Sequence, residues 1–178
     1  YENVRVYSLN SDFYIKNSEN TSFSYGYEFT HNDVKSKAHG ISLKRKDFNL
    51  SNFKDLVYIE IPTRYPSAGS SYSTSAAYFD YRKNFSIKSN LNFGMRYTYT
   101  WLKAGWNEEA LIDANLNKIK SNNSSFTGSL GYVYRFENNF QISTNFSSGF
   151  RSPNIDDVGK IRENKGILSV PNQSLKPE

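Results

Sequence analysis

Asn90-Leu91-Asn92-Phe93-Gly94-Met95-Arg96-Tyr97-Thr98-Tyr99-Thr100-Trp101 alternates without a break. Successive side chains of an extended chain point to opposite faces, so Leu91, Phe93, Met95, Tyr97, Tyr99 and Trp101 share one side and Asn90, Asn92, Gly94, Arg96, Thr98 and Thr100 the other. Strands of water-soluble domains run to about 5–6 residues, whereas a tilted strand that crosses a bilayer needs about 9–11. The length of the alternation therefore predicts a membrane strand. Its apolar side passes from Leu, Phe and Met to Tyr, Tyr and Trp, and amphipathic aromatics at one end suit a headgroup interface.

The pattern recurs in both directions from this stretch. Phe126, Gly128, Leu130, Tyr132, Tyr134 and Phe136 share a face, and the polar turn Glu137-Asn138-Asn139 leads to Phe140, Ile142, Thr144, Phe146, Ser148 and Phe150, which predicts an antiparallel hairpin. Upstream, Phe23, Tyr25, Tyr27 and Phe29 alternate with Ser22, Ser24, Gly26, Glu28 and Thr30. Tyr7, Leu9, Phe13 and Ile15 mark the strand before them, across a turn at Lys16 to Asn20. A strand near Ser73 to Arg82 reaches the Asn90 strand through a turn around Lys83-Asn84, with its facing open between Ala76/Tyr78 and Ala77/Phe79/Tyr81. That makes six membrane strands. Between the hairpins the connections lengthen, about Lys35 to Ser71, Lys103 to Lys120, and from Arg151 onward. Short periplasmic turns and long extracellular loops are the rhythm of outer-membrane barrels. The alternation Val57-Tyr58-Ile59-Glu60-Ile61 predicts an extra strand pair above the membrane.

The fold class is thus all-β, an antiparallel up-and-down transmembrane β-barrel segment. Composition agrees: 37% of the 178 residues are hydrophobic, yet 16% are aromatic, with 14 Tyr and 13 Phe, and the mean hydropathy is −0.69. Aromatic richness argues against disorder, and singly spread apolar residues suit strands with one wet face. No apolar run reaches the length of a transmembrane helix. The absence of cysteine excludes a disulfide framework, a thiol nucleophile and a thiolate zinc site. The net charge of +5 comes from scattered residues with one short cluster, Lys44-Arg45-Lys46, which argues against a nucleic-acid partner. Because Tyr1 to Val6 opens in extended sequence without a signal peptide, and six strands fall short of the roughly eight that a barrel needs, residues 1–178 are expected to be part of one larger barrel domain.

Four segments, in order, resemble the TonB-dependent outer-membrane receptor family. Leu91-Asn92-Phe93-Gly94-Met95-Arg96-Tyr97 is similar to the family's L-x-x-G-x-R-Y strand, and Leu130-Gly131-Tyr132-Val133-Tyr134-Arg135 to its G-x-x-Y strand. Ser147-Ser148-Gly149-Phe150-Arg151-Ser152-Pro153-Asn154 resembles S-x-G-F-R-x-P, through Gly149, Phe150, Arg151 and Pro153. Val170 to Glu178 resembles N-P-x-L-K-P-E, through Asn172, Leu175, Lys176, Pro177 and Glu178. The likeness covers Ser73 to Glu178 by motif and the first third by strand pattern.

The resemblance implies a barrel of about 22 strands holding an N-terminal plug domain, set in outer-membrane lipid of a bacterial cell. It also implies import of a scarce small-molecule ligand, such as a ferric siderophore or similar metal chelate, with energy delivered by the TonB protein of the inner membrane to N-terminal parts outside residues 1–178. Haem-receptor members carry an F-R-A-P box and an N-P-N-L box with a His between them. Phe150 to Pro153 and Pro171 to Leu175 match these loosely, and no His lies between; His31 and His39 stand near the start of the first long loop.

A transporter needs no catalytic residue, no cofactor and no resident metal; it needs loops that capture a ligand and a lumen that passes it on. Arg64 and Tyr65 in the loop Ile61 to Ser70, and Trp106 in the next loop beside Glu108 and Glu109, offer cationic and aromatic groups for an anionic chelate. Packing within the loop is the plainer use of the same residues. Glu28, Arg96 and Arg135 fall on lumen-facing positions, since a charge facing lipid would cost about 2–4 kcal/mol at the midplane. Asp156-Asp157 fits a solvated or Arg-paired role better than an acid/base pair, because adjacent carboxylates point apart. His31, Asp33 and His39 have a spacing that arises by chance as easily as by metal ligation. With two histidines and no Gly-x-Ser-x-Gly element, the sequence argues against an enzyme barrel. A passive porin, an adhesin and a soluble β-sandwich carbohydrate binder are the remaining alternatives.

Overall fold

The structure is a computed structural model that describes residues 1–41, 58–61, 63, 65–107, 118–159, 162–170, 172 and 174–178. In chain order the elements are β1 (Glu2–Ser18), β2 (Thr21–Ser36), β3 (Ala38–Ile41), β4 (Tyr58–Ile61), β5 (Gly69–Ser86), β6 (Ser89–Gly105), β7 (Lys118–Arg135), β8 (Gln141–Ser147), α1 (Ile155–Val158), β9 (Arg162–Asn164) and β10 (Ile167–Ser169). Six strands form one antiparallel sheet in the order β1-β2-β5-β6-β7-β8. This is the up-and-down wall that the alternation predicts, and each of the six anticipated membrane strands falls on one strand of the sheet, the last two running past the ends of β7 and β8.

The register removes the ambiguity in β5. Phe23, Tyr25 and Tyr27 of β2 stand opposite Tyr81, Phe79 and Ala77, which in turn stand opposite Phe93, Met95 and Tyr97 of β6. On β7 the same rows continue to Leu130, Gly128 and Phe126. One face of the sheet is therefore an aromatic and aliphatic band, and Ala76 and Tyr78 belong to the other. The band side chains remain exposed, among them Phe126 at 72% and Phe146 at 69%. Contacts along the band tie the strands together: Phe13 stacks on Tyr25 at 5.1 Å and Tyr97 meets Phe126 at 4.6 Å between neighbouring strands, and Phe29 meets Trp101 at 6.0 Å across β5. A face this apolar and this open is suited to hydrocarbon rather than water.

The sheet strands extend past the band, with 17 residues in β6 and 18 in β5 and β7. Along β6 the apolar positions run from Leu91 to Trp101. Ten steps of about 3.3 Å give about 33 Å, which a tilt near 40° projects to about 25 Å, the height of the apolar band of outer-membrane barrels.

The short turns lie at one end and the long connections at the other, as anticipated. The second short turn is displaced from its expected place around Lys83-Asn84. β5 continues through both residues to Ser86, and the turn falls at Ile87 and Lys88, because Lys83↔Leu91 and Asn84↔Asn90 are still paired rungs of the ladder. In the last short turn Asn139 takes a φ of 61°, a left-handed conformation that asparagine tolerates better than most side chains. The expected strand pair in the first long loop exists as β3 and β4, with Ala38 opposite Ile61 and Gly40 opposite Ile59. Val57 lies outside the described residues.

β8 is shorter than its alternation suggests. It ends at Ser147, and the anticipated continuation through Ser148 and Phe150 is replaced by a departure from the sheet. Ser148 makes the last rung, its N–H donating to the Gly128 carbonyl at 2.9 Å while its Oγ accepts from the Gly128 N–H at 2.9 Å. That hydroxyl occupies the backbone donor that a further rung would need.

Candidate functional site: the polar face and its cap

Across the middle of the face opposite the aromatic band, Arg96 of β6 reaches over β5 to Glu28 of β2, with Nη2 2.5 Å from Oε2. Ala76, the β5 residue that separates them, is 1% exposed beneath the pair. A larger side chain at that rung would block the reach. The Arg96 guanidinium also donates to Thr98 Oγ1 at 3.2 Å and lies 5.9 Å from the Tyr78 ring. Tyr78 in turn lies flat against β2, where a Cβ at Gly26 would meet its Oη at 2.4 Å and the Ser11 carbonyl at 2.6 Å. Glycine at 26 thus makes room for the tyrosine that flanks the arginine. Glu28, Tyr78, Asp80, Arg96, Thr127 and Ser147 border a groove of about 380 Å³ on this face.

Both partners of the ion pair keep over a third of their side-chain surface exposed, 37% for Arg96 and 41% for Glu28. Solvent screening therefore holds its worth to about 0.2–1 kcal/mol. A double-mutant cycle with Glu28→Gln and Arg96→Met, followed by denaturant unfolding in lipid vesicles, is expected to return a coupling in that range. A coupling of several kcal/mol would mean a dry site.

Nearer the short-turn end, Arg135 donates to Asn90 Oδ1 at 2.9 Å, and Asn90 donates to Asn84 Oδ1 at 2.8 Å. These residues, with Arg82, Lys16 and Tyr14, border a second hollow of about 470 Å³. The structure thus places Glu28, Arg96 and Arg135 on one face, opposite the aromatic band.

At the long-loop end the pattern inverts. Along β6 below Trp101 the aromatic-face positions are apolar and the opposite positions lack apolar side chains. Above it the aromatic-face positions become Lys103, Lys118 and Lys120, while the opposite positions become Leu102, Ala104, Trp106 and Ile119. The inward apolar residues are buried because the chain after β8 folds back across them. Ser152 Oγ bonds Thr100 Oγ1 at 2.8 Å and accepts from Asn123 Nδ2 at 3.0 Å. Two residues on, Asn154 and Asp157 form a reciprocal capping box around α1. Ile155 and Val158 of that turn enter the cluster of Leu102, Ala104, Trp106 and Ile119, with Tyr65 and Tyr72 against its edge.

This cap is where the motif residues meet. Arg151 and Glu178 exchange two backbone hydrogen bonds, at 2.9 and 3.0 Å. The Arg151 guanidinium bonds both carboxylate oxygens of Asp157, at 2.9 and 3.0 Å, and lies 3.9 Å from Glu178 Oε1. Pro153 is buried, Phe150 half-buried, and a Cβ at Gly149 would meet open space. Asn172 Oδ1 accepts from the Ser174 N–H at 2.9 Å; Asn172, Leu175, Lys176 and Pro177 are exposed. The carboxylate pair resolves as expected, Asp157 serving Arg151 and the helix cap.

Of the loop residues singled out as ligand contacts, Trp106 is 6% exposed, so its ring packs against the cap and is closed to a ligand. Its indole Nε1 has no partner among the described residues. Tyr65 is half-buried at the rim of the same cluster, and Arg64, Glu108 and Glu109 lie outside the described residues. His31 is on the aromatic face, 2.6 Å from Ser73 Oγ, and His39 is in the separate β3–β4 pair. Sequence reasoning missed the cap, although its signal was present in the inversion at Thr100 to Lys103.

A sheet with one face fit for hydrocarbon, the other polar, and short and long connections segregated to its two ends is a wall of a transmembrane β-barrel. The family model described as TonB dependent receptor-like, beta-barrel matches residues 1–178, and the chain belongs to that family. It is thus part of an outer-membrane receptor barrel of the transport type, which makes the aromatic face the lipid side, the polar face the lumen and the long-loop end the extracellular one. No curated protein matches the chain.

Proposed function

We propose that this wall belongs to an active importer of a scarce anionic chelate, most simply a ferric siderophore, energised by TonB through a plug domain inside the barrel. The carrying observation is the lumen face. A wall that turns Glu28, Asp80, Arg82, Arg96 and Arg135 away from lipid encloses a hydrated interior, and its fixed cations suit the oxygen-rich donors of a chelate. The Arg96–Glu28 span and the Arg135–Asn90–Asn84 chain offer contact points for a plug. An open sheet in hydrocarbon would leave unpaired backbone groups along the outer edges of β1 and β8, each costing several kcal/mol, so further strands are expected to close the barrel. Capture of the ligand outside falls to the loop around Arg64 and Tyr65.

The test is uptake by cells that carry the full-length receptor, screened with ferric siderophores as the iron source. Accumulation is expected to stop when the inner-membrane complex is disabled. Accumulation that continues without it would identify a passive pore.

A further inference from the structure

At the short-turn end of the lumen face the side-chain hydrogen bonds run in one sense. A guanidinium can only donate. Because Arg135 Nη1 bonds Asn90 at 2.9 Å, Asn90 must present its Oδ1 to the arginine and send its Nδ2 on to Asn84, at 2.8 Å. Asn84 must then accept with its Oδ1, which leaves the Asn84 Nδ2 as the open end of the chain. Each link spends an acceptor, and the groups left over are donors. Arg82, two positions before Asn84 on the same face of β5, adds a guanidinium with no hydrogen-bond or ion-pair partner among the described residues.

These donors border the hollow of about 470 Å³. Lys16, Ser22, Arg82 and Asn92 form one row of its wall across β1, β2, β5 and β6, and Asn84, Asn90 and Val133 form the next. Leu91 and Phe93, the band residues on either side of Asn92, do not border it, so the hollow opens to the lumen. The carboxylate on its rim, Glu19, is already held by Lys16, whose Nζ lies 3.1 Å from both of its oxygens. Higher on the wall Arg96 is taken by Glu28. Arg82 and Arg135 are therefore the lumen-face guanidiniums that lack a carboxylate among the described residues, and Asp80, two positions before Arg82, forms no ion pair with either. Both arginines and Asn84 are exposed.

We propose that this hollow is an exit site for the carboxylate groups of the cargo, with Arg82 and Arg135 binding carboxylate oxygens and the Asn84 amide donating beside them. A guanidinium matches a carboxylate as a fork, and the forced sense of the amide chain leaves Asn84 without a competing acceptor at that point. Because the guanidiniums are exposed, solvent screens the attraction and the hold is reversible, which suits a group in transit at the periplasmic mouth better than a permanent tie. The site rests on the reading of an anionic cargo, and it narrows the plug's contact with this wall to the Arg96–Glu28 span.

The experiment titrates the full-length receptor, held in lipid nanodiscs, with citrate as a carboxylate probe and reads binding by calorimetry. The wild type is expected to bind citrate. Arg82→Gln and Arg135→Gln are each expected to weaken it about ten-fold, while Lys83→Gln, which removes a cation from the lipid side of the same strand, leaves it unchanged. No binding by the wild type, unchanged affinity in both glutamine variants, or an equal loss in Lys83→Gln would each overturn the proposal. Heat-modifiable gel mobility reports folding. Should the glutamine variants fail to fold, Arg82→Lys and Arg135→Lys take their place: they keep the charge and lose the fork, so weaker binding is expected and unchanged binding would sink the site. Entry of a large hydrophilic antibiotic into cells that carry the glutamine variants separates cargo from plug; exclusion as in the wild type is expected, and a leak would mean that the arginines hold the plug instead. A neutral cargo in the uptake screen, with citrate still bound, would fail the cargo reading alone, whereas an anionic cargo with no citrate bound would fail the exit site alone.

Discussion

Met95→Arg is expected to lower the stability of the folded barrel in lipid by about 2–4 kcal/mol, while Ser129→Arg changes it by no more than about 0.5 kcal/mol. Met95 is near the middle of the apolar run of β6, 47% exposed on the lipid side between Phe79 and Gly128. A guanidinium there has no water within reach and no lipid-side carboxylate in its row. Ser129 is one rung away, opposite Gly94, but it is on the lumen side within the groove that holds Asp80. The natural Arg96, adjacent to Met95 in sequence, is accommodated on that side by Glu28. Denaturant unfolding in lipid vesicles measures both variants. Equal losses would mean that the two faces do not differ in solvent, and the assignment of lipid and lumen would fall.

The same contrast explains how much of this fold was legible beforehand. A strand in a barrel wall has a different solvent on each face, so a one-residue slip exposes every side chain to the wrong medium, and the sequence must alternate. Leu91 to Trp101 could be read with its facing correct for that reason. The β5 strand was ambiguous because Ala76, Ala77 and Tyr78 are apolar on both sides. Ala76 is small to let Arg96 reach Glu28, and Tyr78 is aromatic because it covers Gly26. Both are lumen residues chosen for side chains on the strands beside them, which a local pattern cannot reveal. The turn at Ile87 was missed for a related reason: Lys83 and Asn84 look like turn residues, but Asn84 is held in the ladder by Asn90.

The candidate site divides in the same manner. Glu28, Arg96 and Arg135 could be placed on a face from parity alone, whereas their pairing partners could not. Trp106 was singled out because an aromatic beside acidic residues in a loop suggests an exposed contact. Its burial depends on a segment some fifty positions later in the chain, Ile155 to Val158. Above the membrane the outer surface meets water and headgroups while the inner surface meets protein, so the hydrophobic side of a strand must exchange at the girdle. The change from Trp101 outward and Thr100 inward to Lys103 outward and Leu102 inward is that exchange written in four residues.

Val158→Asp tests the cap and is expected to release it without unfolding the wall. Val158 is 2% exposed among Leu102, Ala104, Trp106 and Ile119. An unpaired carboxylate in that cluster would cost several kcal/mol, more than the roughly 1.5–3 kcal/mol returned by burying each apolar side chain of α1. Undocking is therefore cheaper than burying the charge. Ser152 would leave Thr100 and Asn123, and Arg151 would lose the setting in which it holds Asp157 and Glu178. Trypsin cleavage after Arg151, which follows the population of the open form when opening is fast, should rise roughly a hundred-fold, with gel mobility of the folded barrel unchanged. Val158→Ala removes two methyl groups and adds no charge, so it should raise cleavage far less. Cleavage equal in wild type and Val158→Asp would mean that the motif segments are held to the wall by something other than this cluster. If release occurs as expected, a fall in uptake at normal barrel stability would assign the cap to ligand retention, because the only part moved is the one that covers the extracellular end of the lumen face.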